Sequence, residues 1–122
     1  ERVLLVEDEP AVRAMAARVL RGAGYEVLEA SNGEEALRAA AKSRPGSIRL
    51  VVTDIVMPRM DGRAFSEEFL RLNPGAPILF MSGYIEESML RKENLDPGRN
   101  FLQKPFTPAA LSARARLLLS GG

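Results

Sequence analysis

Carboxylate and ammonium side chains follow three short apolar runs of this sequence. Glu7 and Asp8 come after RVLLV, Asp54 after IRLVVT, and Lys104 after FLQ. A carboxylate is already deprotonated at neutral pH, so an aspartate such as Asp54 could attack a phosphorus atom without a general base. Carboxylates that lie close together repel one another and need a cation, and a set of oxygen ligands favours Mg²⁺. This pattern therefore indicates metal-assisted phosphoryl chemistry if the folded chain brings the three positions together.

A hydroxyl and a second positive charge complete the candidate site. Ser82 follows PILFM and could donate a hydrogen bond to a phosphoryl oxygen, while Lys104 could offset its charge. Each residue alone has an ordinary interpretation, as a turn-forming aspartate, a Ser-Gly turn or a surface lysine. Their joint occurrence at the ends of successive apolar runs favours a common site.

Strands and helices alternate along the chain. Apolar runs predict strands, and apolar residues at helical spacing predict helices between them. Ser31 followed by Glu34 predicts a capping box at the start of the second helix, and Thr107 and Pro108 predict the start of the last helix. The predicted strands are 2–6, 26–30, 48–53, 77–81 and 100–103, and the helix predicted near 85–92 has the weakest pattern.

This alternation predicts an α/β fold: a three-layer (βα)5 doubly wound parallel sheet. With 122 residues the chain is about half the length of a closed eight-unit barrel, so an open sheet is expected. Ligands of open sheets bind beyond the carboxyl ends of the strands, where the strand order reverses. The order 2-1-3-4-5 would gather Glu7, Asp8, Asp54, Ser82 and Lys104 there. It would leave the second strand, which ends without a charged group, at the edge.

Composition excludes several other kinds of site. The chain has no Cys and no His, which removes disulfides, thiol catalysis and imidazole metal sites. Its formal net charge is +1, and no apolar run approaches the roughly 20 residues that span a bilayer. We therefore expect no direct partner in nucleic acid or membrane, and a cytoplasmic location.

Four motifs carry a resemblance to a known family. The segments LLVEDEP, VVTDIVMPRMDG, ILFMSGY and FLQKPF resemble, in order and spacing, the receiver domain of two-component response regulators. The resemblance covers essentially the whole chain and implies the flavodoxin-like receiver fold. It also implies Mg²⁺ as cofactor and a phosphohistidine donor, either a histidine kinase or a histidine phosphotransfer domain, as partner.

The resemblance assigns a role to each site residue. It implies that Asp54 is the phosphoacceptor and that the metal is held by Glu7, Asp8, Asp54 and the backbone carbonyl of Val56. Ser82 and Phe101 would be the switch pair, with the Phe101 ring turning inward when Ser82 engages the phosphoryl group. Lys104 would be the family's site lysine, joined to Pro105 by a cis bond. Val56 and Tyr84 flank the acceptor without orienting water, so we expect slow hydrolysis of the acyl phosphate.

Several alternatives stay open at the level of sequence. The runs FMSGY and FLQKPFTPAAL are similar to receivers at the C-terminus of hybrid sensor histidine kinases. We therefore expect residues 1–122 to be a single receiver domain excised from a longer chain, whose parent could be membrane-associated. A stand-alone regulator and a receiver detached from a DNA-binding domain are the competing contexts. The sequence leaves open whether the domain forms a homodimer, and whether it counts as an enzyme for promoting its own phosphorylation and dephosphorylation.

Two unrelated classes fit less well. An aspartyl phosphatase of the haloacid dehalogenase type needs a second aspartate two residues after the nucleophile, where this chain has Val56. A flavodoxin-like nucleotide-binding protein needs a phosphate-binding loop after the first strand, where the Glu7-Asp8-Glu9 segment would repel phosphate.

Overall fold

A parallel sheet with helices on both faces forms the centre of the computed structural model, which describes residues 1–57, 60–83, 91 and 94–121. Within that part of the chain there are five strands and four helices. In chain order they are β1 (Arg2–Val6), α1 (Pro10–Gly22), β2 (Glu26–Ala30), α2 (Gly33–Ala41), β3 (Ile48–Asp54), α3 (Gly62–Leu72), β4 (Ile78–Ser82), β5 (Phe101–Gln103) and α4 (Pro108–Leu119). The helix predicted near 85–92 lies outside the described residues except for residue 91, and Tyr84 also lies outside them.

The sheet has the order β2-β1-β3-β4-β5, and every pair of neighbouring strands is parallel. The predicted fold class and strand order are therefore confirmed. The interior strand β4, between β3 and β5, is buried at all five positions, as expected for a strand covered on both faces. The edge strand β2 is less buried, with Glu26 and Glu29 exposed and Val27 and Ala30 buried.

Two apolar clusters cover the two faces of the sheet. Successive side chains of a strand point to opposite faces, so Val3 and Leu5 of β1 pack in one cluster, with α1 and α4. Leu4 and Val6 pack in the other, with α2 and α3. This two-sided burial leaves the strand ends as the place where polar groups can gather.

The N-terminus of α2 differs by one residue from the predicted capping box. Asn32, not Ser31, is the N-cap, and its side chain accepts a hydrogen bond from the amide of Glu35 at 2.8 Å. The Glu35 carboxylate in turn binds the amide and hydroxyl of Ser31, at 2.9 and 3.1 Å. Asn caps helices as well as Ser does, and Asn32 and Glu35 have the three-residue spacing of a capping box. Consequently α2 begins at Gly33.

No helix of the described residues is long and apolar enough to cross a membrane.

Candidate functional site

Strand register brings the predicted site residues to one edge of the sheet. Val6 is paired with Thr53, so Glu7 follows beside Asp54, the last residue of β3. Ser82, the last residue of β4, is paired with Gln103 of β5, so Lys104 follows beside it. The amide of Lys104 donates a hydrogen bond to the Ser82 carbonyl at 2.9 Å.

Three carboxylates form a cluster at this edge. One oxygen from each of Glu7, Asp8 and Asp54 lies within 4.8 Å of the other two. Glu7 is fully buried and Asp54 is 6% exposed, while Asp8 is partly exposed. The structure thus brings together the acidic residues that the sequence placed in one site.

Lys104 lies inside the acidic cluster. Its Nζ is 2.7 Å from Glu7 Oε1 and 2.8 Å from Asp54 Oδ2, and Glu9 Oε1 lies further away at 3.8 Å. The sequence predicted a positive charge opposite Asp54, but it did not predict that Lys104 would also pair with Glu7. The Lys104–Pro105 bond is cis, as the resemblance implied.

Burial and charge act in opposite directions on the ionisable groups of the cluster. Burial raises the pKa of the Glu7 carboxyl above 4.5, and the nearby Asp54 charge adds to this; contacts with Lys104 and with the Glu9 amide only partly oppose it. Burial lowers the pKa of Lys104, but its hydrogen bond to Asp54 and its ion pair with Glu7 outweigh burial, so the net pKa lies above 10.5. A buried carboxylate whose pKa is raised gains from a further cation nearby.

The cluster meets the chemical requirements of a magnesium site. Mg²⁺ binds oxygen ligands at about 2.1 Å, so opposite ligands of one ion lie about 4.2 Å apart. The three oxygens lie within 4.8 Å of one another, close to that span, so the cluster could hold an ion that keeps some of its waters. Glu7 Oε1 is buried and accepts no hydrogen bond of regular geometry from the described residues. Beside its ion pair with Lys104, this oxygen can therefore also bind a metal ion. With all groups ionised, three carboxylates and one ammonium leave two negative charges, which a divalent cation would balance.

The backbone around Asp54 is held by hydrogen bonds that sequence reasoning missed. Thr53 Oγ1 donates to the Asp54 carbonyl at 2.9 Å, and the Val56 amide lies 3.3 Å from Asp54 Oδ1. On the other side of the site, Arg13 Nη1 donates to the Glu7 carbonyl at 2.8 Å. The hydroxyl of Thr53 was visible beside Asp54 in the sequence, whereas only the fold shows that Arg13 reaches Glu7.

The remaining predicted residues lie at or near the cluster. Ser82 is buried at the end of β4. Val56, two residues after Asp54, is 72% exposed, so its side chain lies in solvent beside the acceptor. Phe101 opens β5 and is only 2% exposed, packed in the cluster that contains Phe80 and Leu95. The ring is thus already buried in this structure.

Comparisons with known proteins agree on one family. The family model for the response regulator receiver domain matches residues 3–116. The sensor kinase CckA of Brucella abortus is 40% identical over 117 residues, which are 96% of this chain but only 12% of that kinase. The crystal structure of the receiver domain from the hybrid histidine kinase CckA has a TM-score of 0.80 and 41% identity, covering 98% of this chain and 99% of that one. The response regulator TrrA of Thermotoga maritima, solved in complex with Mg²⁺ and BeF, has a TM-score of 0.81 and 30% identity, covering 97% and 98%.

Proposed function

This chain belongs to the response regulator receiver family of two-component signalling, and we propose that Asp54 is its phosphoacceptor. The observation that carries the proposal is the position of Asp54, between the acidic pair at the end of β1 and the ammonium of Lys104. Receiver domains take a phosphoryl group from histidine kinases or phosphotransfer proteins. The donor for this chain would accordingly be a phosphohistidine.

The transfer would proceed by in-line displacement at phosphorus. An Asp54 carboxylate oxygen forms the new O–P bond, the N–P bond of the donor phosphohistidine breaks, and the imidazole leaves with the electron pair and takes a proton from solvent. The product is an acyl phosphate on Asp54. Phosphoryl transfer depends mainly on positioning and charge stabilisation. Hydrogen bonds to the Asp54 backbone and side chain supply the positioning.

Mg²⁺ would be held by Glu7, Asp8, Asp54 and the backbone carbonyl of Val56. When bound, the ion supplies positive charge that offsets the carboxylates and the incoming phosphoryl oxygens. The similar TrrA fold solved with Mg²⁺ supports this choice of metal. Lys104 Nζ, already 2.8 Å from Asp54 Oδ2, would remain near a phosphoryl group attached to that carboxyl.

Ser82 and Phe101 would then change conformation on phosphorylation, and a partner would bind according to that change. The Ser82 hydroxyl, at the end of the strand beside β3, would bond a phosphoryl oxygen and favour one conformation over the other. Phe101, which is buried at the start of β5, would change its packing when Ser82 engages the phosphoryl group. The identity with receivers of hybrid kinases supports the same context for this chain, as one domain of a longer kinase.

A mass measurement tests the proposed function. The protein is incubated with acetyl phosphate, or with a phosphohistidine donor, with and without Mg²⁺, and its intact mass is recorded. We expect a gain of one phosphoryl group that needs Mg²⁺ and is lost in Asp54→Asn. Asp61→Asn is the matched control, because Asp61 caps α3 in the loop after β3 and asparagine also caps helices. A gain that persists in Asp54→Asn would refute the assignment.

A further inference from the structure

Two helices of this fold begin with a buried glycine whose backbone does not require glycine. Gly33 is the first residue of α2 and Gly62 the first of α3. Neither has a positive φ, in contrast to Gly24, Gly46 and Gly75. Alanine is the better helix former at such positions. The reason for glycine at 33 and 62 must therefore be space.

The backbone of Asp54, the proposed phosphoacceptor, occupies the space that a side chain at position 62 would need. A β-carbon at Gly62 would lie 2.1 Å from the carbonyl oxygen of Asp54 and 3.0 Å from the Cα of Ile55. The amide of Gly62 donates to the Ile55 carbonyl at 2.8 Å, and the Gly62 carbonyl accepts from Ser66 Oγ at 2.6 Å. The first turn of α3 thus rests directly on the end of β3.

The space at Gly33 is taken by Met60. A β-carbon there would lie 2.8 Å from the Met60 carbonyl oxygen and 2.9 Å from both Cβ and Cγ of that side chain. Carbon contacts below 3.0 Å essentially never occur, so one of the two segments would have to move. The obstructing carbonyl oxygen belongs to the backbone, which a side-chain rotation cannot relieve.

The contacts at Gly62 and Gly33 fall at the two ends of the connection between β3 and α3, of which the structure describes residues 55–57 and 60–61; we call these described residues the acceptor loop. The loop leaves Asp54, carries Val56 and Met60, and is closed by the hydrogen bond between Ile55 and Gly62. Gly62 contacts the backbone of Asp54 and Ile55 at the start of the loop, and Gly33 contacts the loop at Met60. The first residues of α2 and α3 therefore both contact the loop, at distances that leave no room for any residue other than glycine.

We propose that Gly33 and Gly62 are positioning residues that fix the acceptor loop, and with it the Asp54 carboxylate and the Val56 carbonyl. This inference rests on the proposed function of Asp54. It gives a role to the junction of β2 and α2, which contributes no charged group to the site. That junction acts through shape, by allowing α2 to lie against Met60.

The experiment compares three glycine-to-alanine variants in the whole chain. Gly33→Ala and Gly62→Ala introduce the clashes, and Gly22→Ala is the control, because a β-carbon at this helical glycine meets nothing within 4 Å. Mg²⁺ affinity is measured by calorimetry, and the phosphorylation rate with acetyl phosphate, at a temperature where all variants are folded. A misplacement of about 1 Å can cost about 100-fold in rate. We expect a loss of about that size for Gly62→Ala, a loss of about tenfold for Gly33→Ala, and no change for Gly22→Ala.

A second-site variant separates positioning from a general loss of stability. Met60→Gly removes both the Cβ and the Cγ atoms that a β-carbon at 33 would meet and leaves only the contact with the carbonyl oxygen, so the double variant with Gly33→Ala should recover part of the lost Mg²⁺ affinity. If Gly62→Ala does not fold, Ser66→Ala replaces it, since it removes the hydrogen bond to the Gly62 carbonyl and should also slow phosphorylation.

The outcomes distinguish this inference from the proposed function. If the folded glycine variants bind Mg²⁺ and accept the phosphoryl group as the wild type does, the positioning role is wrong. If the wild type accepts no phosphoryl group, the proposed function is wrong, and the Mg²⁺ affinities of the variants still decide whether the two glycines position the loop.

Discussion

The substitution Glu7→Gln should stabilise the metal-free protein and weaken its response to Mg²⁺. Glu7 is fully buried, and burial raises its pKa. The ionised carboxylate therefore costs folding free energy at neutral pH. Glutamine keeps the shape of the side chain and can still accept the hydrogen bond from the Glu9 amide, which is 3.1 Å long in the wild type.

The size of the effect follows from the charges around Glu7. At an effective dielectric constant of about 20, the Lys104 ammonium at 2.7 Å attracts the carboxylate by about 6 kcal/mol. Asp8 and Asp54, each within 4.8 Å, repel it by about 3.5 kcal/mol apiece or more. The repulsions match the attraction, so the free-energy cost of desolvating a buried charge, which is still several kcal/mol after relaxation, is left uncompensated. We expect a net stabilisation of about 1–3 kcal/mol for Glu7→Gln.

Urea unfolding with chelator and with excess Mg²⁺ measures both parts of this expectation. Without metal, the midpoint of Glu7→Gln should rise by about 1 M, with an unchanged slope. Saturating Mg²⁺ should stabilise the wild type by more than it stabilises Glu7→Gln. Binding at 100 times the dissociation constant contributes about 2.7 kcal/mol to the free energy of unfolding. A variant that is less stable without metal would refute the electrostatic reasoning. An equal gain from Mg²⁺ in both proteins would refute the role of Glu7 as a ligand.

The pH dependence has a defined sign. The raised pKa of Glu7 means that its contribution to stability is fully present below the unfolded value of 4.5 and is lost as pH rises through the folded value. The advantage of Glu7→Gln should therefore be absent in acid and grow toward neutral pH. An advantage that is constant across this range would show that the charge of Glu7 is not its cause.

Three further substitutions test other parts of the site. Lys104→Met leaves Glu7 and Asp54 as buried carboxylates without their ammonium, so urea unfolding should show a loss of about 3–5 kcal/mol that excess Mg²⁺ partly restores; an unchanged stability would contradict the ion pairs. Val56→Asn should speed loss of the phosphoryl group, because an amide beside the acceptor can orient water, and an unchanged or slower rate would count against this. Phe101→Leu should preserve phosphorylation and weaken binding of a partner. Leucine is preferable to alanine there, since truncating a buried phenylalanine costs about 3–5 kcal/mol.

The sequence was sufficient for the parts of the site that depend on topology. Apolar runs ended at Glu7, Asp54, Ser82 and Lys104, and parallel strands necessarily bring such ends to one edge of the sheet. The order expected for an open doubly wound sheet accounted for the uncharged end of β2, and the structure has that order. These features follow from the alternation of strands and helices, so they can be predicted from local patterns in the sequence.

Features that depend on side-chain geometry could not be predicted. The shift of the α2 N-cap from Ser31 to Asn32 reflects a choice between two adjacent residues that cap equally well. The pairing of Lys104 with Glu7 depends on the position of an ammonium on a flexible side chain. The approach of Gly33 to Met60 joins segments distant in sequence, and nothing in either segment indicates it.

Chemical trapping of the phosphoryl group tests the central claim most directly. Borohydride reduces an aspartyl phosphate to homoserine, so reduction after incubation with Mg²⁺ and acetyl phosphate, followed by peptide sequencing, identifies the residue that was modified. We expect homoserine at position 54 and at no other aspartate. Homoserine at Asp8 or Asp61, or a phosphoryl group that resists reduction because it is attached to Ser82, would contradict the assignment of Asp54 as the phosphoacceptor.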